Sequence, residues 1–308
     1  MASAKKTIGF LCPCNRTMWD KWIKAFEKQL AAKDWTIGDN VEIDYQYAEG
    51  KESEYKKLAK YFANQNVNVI VTGGTQATIA CKKAAAKANP PIPVVFATAG
   101  DPIDTKLVSS FSQPGNITGV SNQQINLVVK RLDWLRQLLP KARVVALVGN
   151  DKSPNVKLEM KVGRLVAPTF GLKTHERPIR RQKDIATVIR KLKGKVDALV
   201  VCTDPLITTH ADEVNAEAIN AGLPTMHAFR EYVCDHGGAA SYGPKFVELF
   251  QKAAEQVNTI LGGKAGQNMI NVPVDQPDNF ETAINKDTFR KLGLTVPPLL
   301  LARADHVI

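Results

Sequence analysis

The stretch VNVIVTGGTQATIACKKAAAKA (67–88) reads as one complete structural unit. Its apolar run VNVIV suits a strand buried on both faces, Gly73-Gly74 a tight turn, and the alanine-rich remainder a helix. Thr75 is placed to cap that helix. The N–H groups of the first helical turn, with the positive end of the dipole, then face the carboxyl edge of a sheet. A carboxylate or a polarised oxygen suits such a place, and so does an ordinary strand-to-helix turn. A nucleotide phosphate does not. The loop lacks the G-x-x-x-x-G-K-[ST] pattern and the G-x-G-x-x-G pattern, and it follows the third predicted strand rather than the first.

The unit recurs along the chain. Strand-like runs occur at TIGFL (7–11), VEIDYQY (41–47), VNVIV (67–71), IPVVFAT (92–98) and ITGV (117–120). A second series follows at RVVALVG (143–149), LKTHERPI (172–179), VDALVVC (196–202), LPTMHAF (223–229) and GAASYG (238–243). Amphipathic segments separate them; in the first, Trp19, Trp22, Ile23, Phe26 and Leu30 share one face. Strand alternating with helix predicts an α/β doubly wound architecture, run twice. The 308 residues suffice for two lobes of about 150 residues each. The chain is predicted to cross near Ser121-Asn122, and PKFVELFQKAAEQVNTIL (244–261) to form a helix with Pro244 in its first turn. The tail is too short for a third domain and adds to the existing lobes. The expected division is 6–122 with 244–270, and 123–243 with 271–308.

Lys plus Arg exceed Asp plus Glu by 41 to 30, a net charge of +11, which favours anionic partners in general. The excess gathers in KTHERPIRRQKDIATVIRKLKGK (173–195), with apolar residues at helical spacing and no aromatics between the basic ones. That pattern is a solvated face; nucleic-acid binding is not expected. The five cysteines, 12, 14, 81, 202 and 234, have no regular spacing, so neither a disulfide framework nor a zinc site is expected. No apolar run approaches the roughly 18 residues needed to span a bilayer. No charged-then-apolar leader opens the chain, and Ala2-Ser3-Ala4 reads as the small-residue end of a cleaved one.

In open α/β sheets ligands collect where the strands end. Candidate binding residues in the first lobe are Cys14, Asn15, Gly74, Thr75, Gln76, Thr98, Asp101 and Asn122. Asp101 is suited to a ligand's ammonium group or to capping a short helix near 103–107. In the second lobe the strand-end segments GNDKSPN, CTDPL and HAFRE, with SYG, supply Asn150, Asp204, His227, Arg230 and Tyr242. Trp19 and Tyr242 are candidates to stack on a ring, the other reading being plain core packing. A catalytic reading would pair Asp204 or Cys202 with His227. No G-x-S-x-G elbow or H-E-x-x-H motif accompanies them, so enzyme activity is not expected.

The tail VPVDQPDNFETAINKDTFRKLGLTVPPLLLARADHVI (272–308) resembles the C-terminal signature of a family of ABC-transporter substrate-binding proteins. Other family marks occur in order: IGF, TGGT, PVVFATAGDP, QPGNITGV and SYG. The resemblance covers nearly the whole chain. It implies a type I periplasmic binding protein-like fold, with two Rossmann-like lobes around a ligand cleft and a hinge of three crossovers. It also implies a solute-binding component of an ABC import system, held outside the cytoplasm or in the periplasm. Such a protein would bind an amino-acid-like or aromatic carboxylate ligand as a monomer, need no cofactor or metal, and deliver the ligand to a membrane permease. Thr75 and Gln76 would hold a carboxylate, Asp101 an ammonium, and Asn150, Asp204 and Arg230 the other polar contacts. A ligand sensor of the same fold, without transport, is the alternative. The first loop, LCPCNRTMWDKW (11–22), departs from relatives, which carry small polar residues there; Cys12, Cys14 and Arg16 would reshape the pocket.

Overall fold

The computed structural model describes residues 5–112, 115–263 and 272–308. Ala2-Ser3-Ala4, Gln113-Pro114 of the fourth family mark and the expected 270/271 boundary lie outside the described residues. The chain divides into two compact units, Met1–Gln123 with Phe246–Pro277, and Gln124–Lys245 with Asp278–Ile308.

Unit 1 contains β1 (Lys6–Cys12), α1 (Arg16–Ala31), β2 (Val41–Tyr47), α2 (Glu52–Asn64), β3 (Val69–Gly73), α3 (Thr75–Ala85), β4 (Val94–Ala99) and β5 (Ile117–Ser121). All five strands are parallel, in the order β2-β1-β3-β4-β5. The inner strands β3 and β4 are buried along their length, as V/I-rich runs require, and so is β5 at one edge, whereas β2 at the other edge is half-exposed.

Unit 2 opens with α4 (Gln124–Leu138) and continues with β6 (Val144–Gly149), α5 (Pro154–Val166), β7 (Lys173–Pro178), α6 (Ile185–Arg190), β8 (Ala198–Val201), α7 (Pro205–Thr209) and α8 (Ala211–Asn220). Then come β9 (Thr225–His227), α9 (Glu231–Cys234) and β10 (Ala240–Pro244). From there α10 (Phe246–Leu261) returns to unit 1, and its Phe250 packs edge-on to Trp19 at 5.2 Å. The tail supplies β11 (Phe280–Ile284), α11 (Lys286–Lys291), α12 (Pro298–Arg303) and β12 (His306–Val307). They extend the second sheet to seven strands, β12-β11-β10-β9-β8-β6-β7; among the described residues its neighbours pair in parallel except β10 with β11, which pair antiparallel.

All ten runs read from the sequence are strands, but β11 and β12 were not anticipated. FETAI alternates weakly, and His306-Val307 is too short to carry a period. Pro244 ends β10 rather than starting α10. Residues 103–107 form turns and a bend, not a helix. The third crossing between units falls at 277/278 because Val274 joins the unit 1 core and the Asp275 N–H donates to the Gly119 carbonyl at 2.8 Å. The basic stretch is laced with ion pairs, Arg180–Asp151 at 2.6 Å, Arg181–Asp184 at 3.0 Å and Arg190–Glu217 at 2.6 Å, consistent with a solvated face.

Gly73 and Gly74 serve different needs. A Cβ on Gly73 would lie 2.4 Å from a ring carbon of Trp19 and 2.9 Å from the Thr98 methyl. Gly74 has φ 73° and ψ 138°, a region that residues with a Cβ scarcely enter. Gly73→Ala is therefore expected to lower the unfolding free energy by about 2 kcal/mol, because a packed ring must move. Gly74→Ala is expected to cost a similar ~2 kcal/mol through backbone strain. Urea titration measures both, and a wild-type midpoint in Gly73→Ala would remove the close-approach argument.

Candidate functional site

At the carboxyl edge of the unit 1 sheet, the loops after β3, β4 and β5 lie side by side because their strands are neighbours. Side chains bind them together. The Gly74 N–H donates to the Thr98 carbonyl at 2.6 Å, and the Gly100 N–H to Thr75 Oγ1 at 3.2 Å. Asn122 Nδ2 donates to Thr98 Oγ1 at 2.8 Å, the Asn122 N–H to the Ala99 carbonyl at 2.9 Å, and Ser121 Oγ to the Gly100 carbonyl at 3.2 Å. Thr75, Thr98, Ser121 and Asn122 are all buried.

Gly74, not Thr75, is the N-cap of α3, and no side chain caps this helix. Thr75 occupies the first helical position instead, where its hydroxyl is committed to Gly100. The first bond of the helix runs from the Thr78 N–H to the Gly74 carbonyl at 3.1 Å. The N–H groups of Thr75, Gln76 and Ala77 therefore precede the helical ladder, which leaves them outside it, at the positive end of the dipole. Gln76 is half-buried beside them. Asp101 Oδ1 accepts from the N–H groups of Ile103 and Asp104 at 3.1 and 3.2 Å, so the carboxylate closes a local turn with one oxygen. Asn15 caps α1 by accepting from the Met18 N–H at 3.0 Å, and Cys14 is buried. Trp19 lies in the core, edge-on to Phe10 and Trp22.

In unit 2, two buried carboxylates join the β6 and β8 loops. Asp204 Oδ2 accepts from the Asn150 N–H at 2.8 Å, while Oδ1 caps α7 through the N–H groups of Leu206 and Ile207 at 2.8 and 3.2 Å. Burial pushes this carboxyl up to about 6 against those three donors. Glu159 is pushed up to about 7 by burial, with Arg131 opposing. Its partners Arg131, at 3.1 Å, and Asn155, at 2.7 Å, are likewise buried.

His227 does not reach Asp204 or Cys202 as a catalytic partner would. Its Nε2 bonds Asn215 Oδ1 at 2.7 Å, its ring stacks on Tyr232 at 5.0 Å, and burial lowers it to about 3. It is a neutral core imidazole. The Cys202 and Cys12 thiols are pushed up by burial and Cys81 to about 12, which removes thiolate character at neutral pH. Arg230 sits in a charge cluster, 3.4 Å from Glu281 and 3.2 Å from His306, and Tyr242 stacks on Phe280 at 6.2 Å. Among the described residues, no group of three His, Cys, Asp or Glu side chains could hold a metal ion, and no helix is long and apolar enough to cross a membrane.

The residues not anticipated are Ser121, Gly100, Arg131 and Glu159. The first two lie inside quoted segments but work through hydrogen bonds 21 and 25 positions apart. Arg131 and Glu159 stand on two different helices, 28 positions apart, and no local pattern marks either as a partner of the other. What unit 1 offers chemically is a row of backbone donors at the start of α3, tied through Thr75 to Gly100, with the Asp101 carboxylate one residue further along that loop.

The family described as ABC transporter substrate binding protein matches residues 8–308. A tyrosine-binding protein of Clostridioides difficile is 28% identical over 291 residues, 94% of this chain and 81% of that protein. A ligand-free, open substrate binding protein with adhesive properties from Clostridium difficile is 26% identical, with a TM-score of 0.68 over 98% of this chain and 99% of that one. A domain from Streptococcus pneumonia in complex with L-Trp is 24% identical, with a TM-score of 0.90 over 99% of this chain and 100% of that one.

The buried imidazole sets a pH dependence. The folded value of about 3 lies below the ordinary 6.5 of His227, so its contribution to stability is complete above pH 6.5 and is lost as pH falls toward 3. At pH 5 the loss is about 2 kcal/mol. His227→Gln keeps a donor for Asn215 and should shrink the wild-type difference in unfolding free energy between pH 7 and pH 5 by about that amount. Urea titrations at the two pH values measure it; an undiminished difference would mean the imidazole is not held neutral.

Proposed function

The chain belongs to the ABC transporter substrate binding protein family, and from that premise we propose that it captures an amino-acid-like ligand with an aromatic side chain and delivers it to a membrane permease. The observation that carries the reading is the start of α3, where no side chain caps the helix and the N–H groups of Thr75, Gln76 and Ala77 precede its ladder, with Asp101 next in the chain to Gly100, which bonds Thr75. A ligand carboxylate would lie against those N–H groups and the Gln76 side chain, where the helix dipole favours negative charge. The second oxygen of Asp101 would receive the ammonium group. Within unit 2, the residues proposed for ligand binding are Asn150, Arg230 and Tyr242, the last through its half-buried ring. The tyrosine-binding relative, similar over most of both chains, supports an aromatic amino acid as the ligand class.

The role is capture and release without turnover, by a single chain working outside the cytoplasm. Loop rigidity supports it: Thr75, Thr98, Ser121 and Asn122 hold the three unit 1 loops before any ligand arrives, so little ordering entropy is lost on binding.

Titration calorimetry with L-tyrosine, L-tryptophan and L-phenylalanine tests the reading. At least one should bind, and at 100 times its dissociation constant it should stabilise the protein by about 2.7 kcal/mol. Removing the ligand's carboxylate, as in the amino acid amide, should weaken binding by about tenfold or more, since a charge-assisted bond at the helix start is lost. An aromatic carboxylate lacking the ammonium separates the part played by Asp101. Thr75→Val, which cuts the bond to Gly100, should weaken binding about fivefold, corresponding to one hydrogen bond. Failure of every aromatic amino acid to bind would overturn the ligand class.

A further inference from the structure

Arg131 and Glu159 are fully buried, Arg131 on α4 and Glu159 on α5. Around them lie Val128, Leu132, Leu147, Val156 and Met160, an apolar core in which an ion pair is unexpected. Replacing a buried ion pair by well-packed apolar side chains is often neutral or stabilising, so the pair is poorly explained as a source of stability. Its bonds suggest another purpose. The Arg131 guanidinium donates to Glu159 Oε2 at 3.1 Å, to the Leu127 carbonyl at 3.4 Å and to the carbonyl of Gln124, the first residue of unit 2. Glu159 Oε1 accepts from Asn155 Nδ2 at 2.7 Å, and the carboxylate also accepts from the Thr203 backbone N–H.

The carboxylate therefore ties the first turn of α5, which the β6 loop enters, to the backbone at the start of the β8 loop. Asn155 stands where the β6 loop enters α5, and Thr203 opens the β8 loop next to Asp204, which itself accepts from the Asn150 N–H. Arg131 fixes the carboxylate from behind and links it to the point where the chain enters the unit. Apolar side chains could fill this volume, but they could not supply bonds in fixed directions.

We propose that the buried Arg131–Glu159 pair is a positioning device, which sets the β6 and β8 loops of unit 2 in the geometry used for ligand capture. The proposal deepens the ligand-binding reading above and rests on it for the role of the loops, while the positioning itself can be read without ligand.

The test replaces the pair by apolar residues, Arg131→Met with Glu159→Leu, and follows amide hydrogen exchange together with calorimetry using L-tyrosine and L-tryptophan. In the double variant, amides of 150–156 and 203–208 should exchange about tenfold faster or more, with the interiors of β6, β8 and α4 unchanged. Affinity for whichever amino acid the wild type binds should fall by about tenfold. Unchanged exchange in both loops, or an equal change throughout unit 2, overturns the proposal even if ligand still binds. If the wild type binds neither amino acid while the two loops loosen selectively, positioning stands and the ligand class falls. Should the double variant fail to fold, Asn155→Ala cuts one tie and keeps the ion pair. It should loosen 150–156 and leave 203–208 as in the wild type, and no change in 150–156 would overturn the proposal.

Discussion

Where a parallel strand leaves its sheet and a helix begins, several backbone N–H groups have no partner in either element. Each such turn needs an acceptor from a side chain, a neighbouring loop or a ligand. Strand-to-helix turns recur throughout both units, so this shortage of acceptors accounts for most of what is distinctive along the two carboxyl edges. Asn15 answers it for α1, Asp204 for α7 and Asn285 for α11, each with a side-chain oxygen on an N–H of the first turn. For α3, as for α2 and α5, no side chain answers it.

The two edges differ in how they meet that demand. Unit 1 uses neutral groups, Thr75, Thr98, Ser121 and Asn122, to hold three adjacent loops, and leaves the start of α3 open. Unit 2 uses carboxylates. Asp204 and Glu159 are buried deeply enough to push both above the ordinary carboxylate range, and each is held by several donors. An uncapped helix start beside loops already tied to one another is where an anionic ligand group gains most, because the dipole and the N–H groups act together. The net charge of +11, by contrast, says little about the site. Arg180, Arg181 and Arg190 carry part of it on the surface, each held by a neighbouring carboxylate.

Much of the architecture was legible because buried parallel strands leave an unmistakable trace. VNVIV, IPVVFAT and VDALVVC can hardly be anything else, and turn glycines mark where the first two end. The tail was less legible because β11 pairs antiparallel at the far side of β10 and β12 spans two residues. Aromatic and ionisable side chains were the hardest to place. Trp19 follows a strand-end loop and so resembled a ligand contact, yet its ring is packed between Phe10 and Phe250. His227 ends β9 in a position that suits chemistry, but its environment strips it of charge.

By itself the sequence determined the class of fold, the places where strands end and the exclusion of phosphate-binding loops, since these depend on local periodicity and on glycine. Tertiary structure alone decided which polar groups at those ends are already satisfied. Arg131 meets Glu159 across 28 positions, and Asn150 meets Asp204 across 54. Nothing in either residue's neighbourhood along the chain specifies the other. A hydrogen bond depends on position to within a few tenths of an ångström, and that precision comes only from the packing of whole elements against each other.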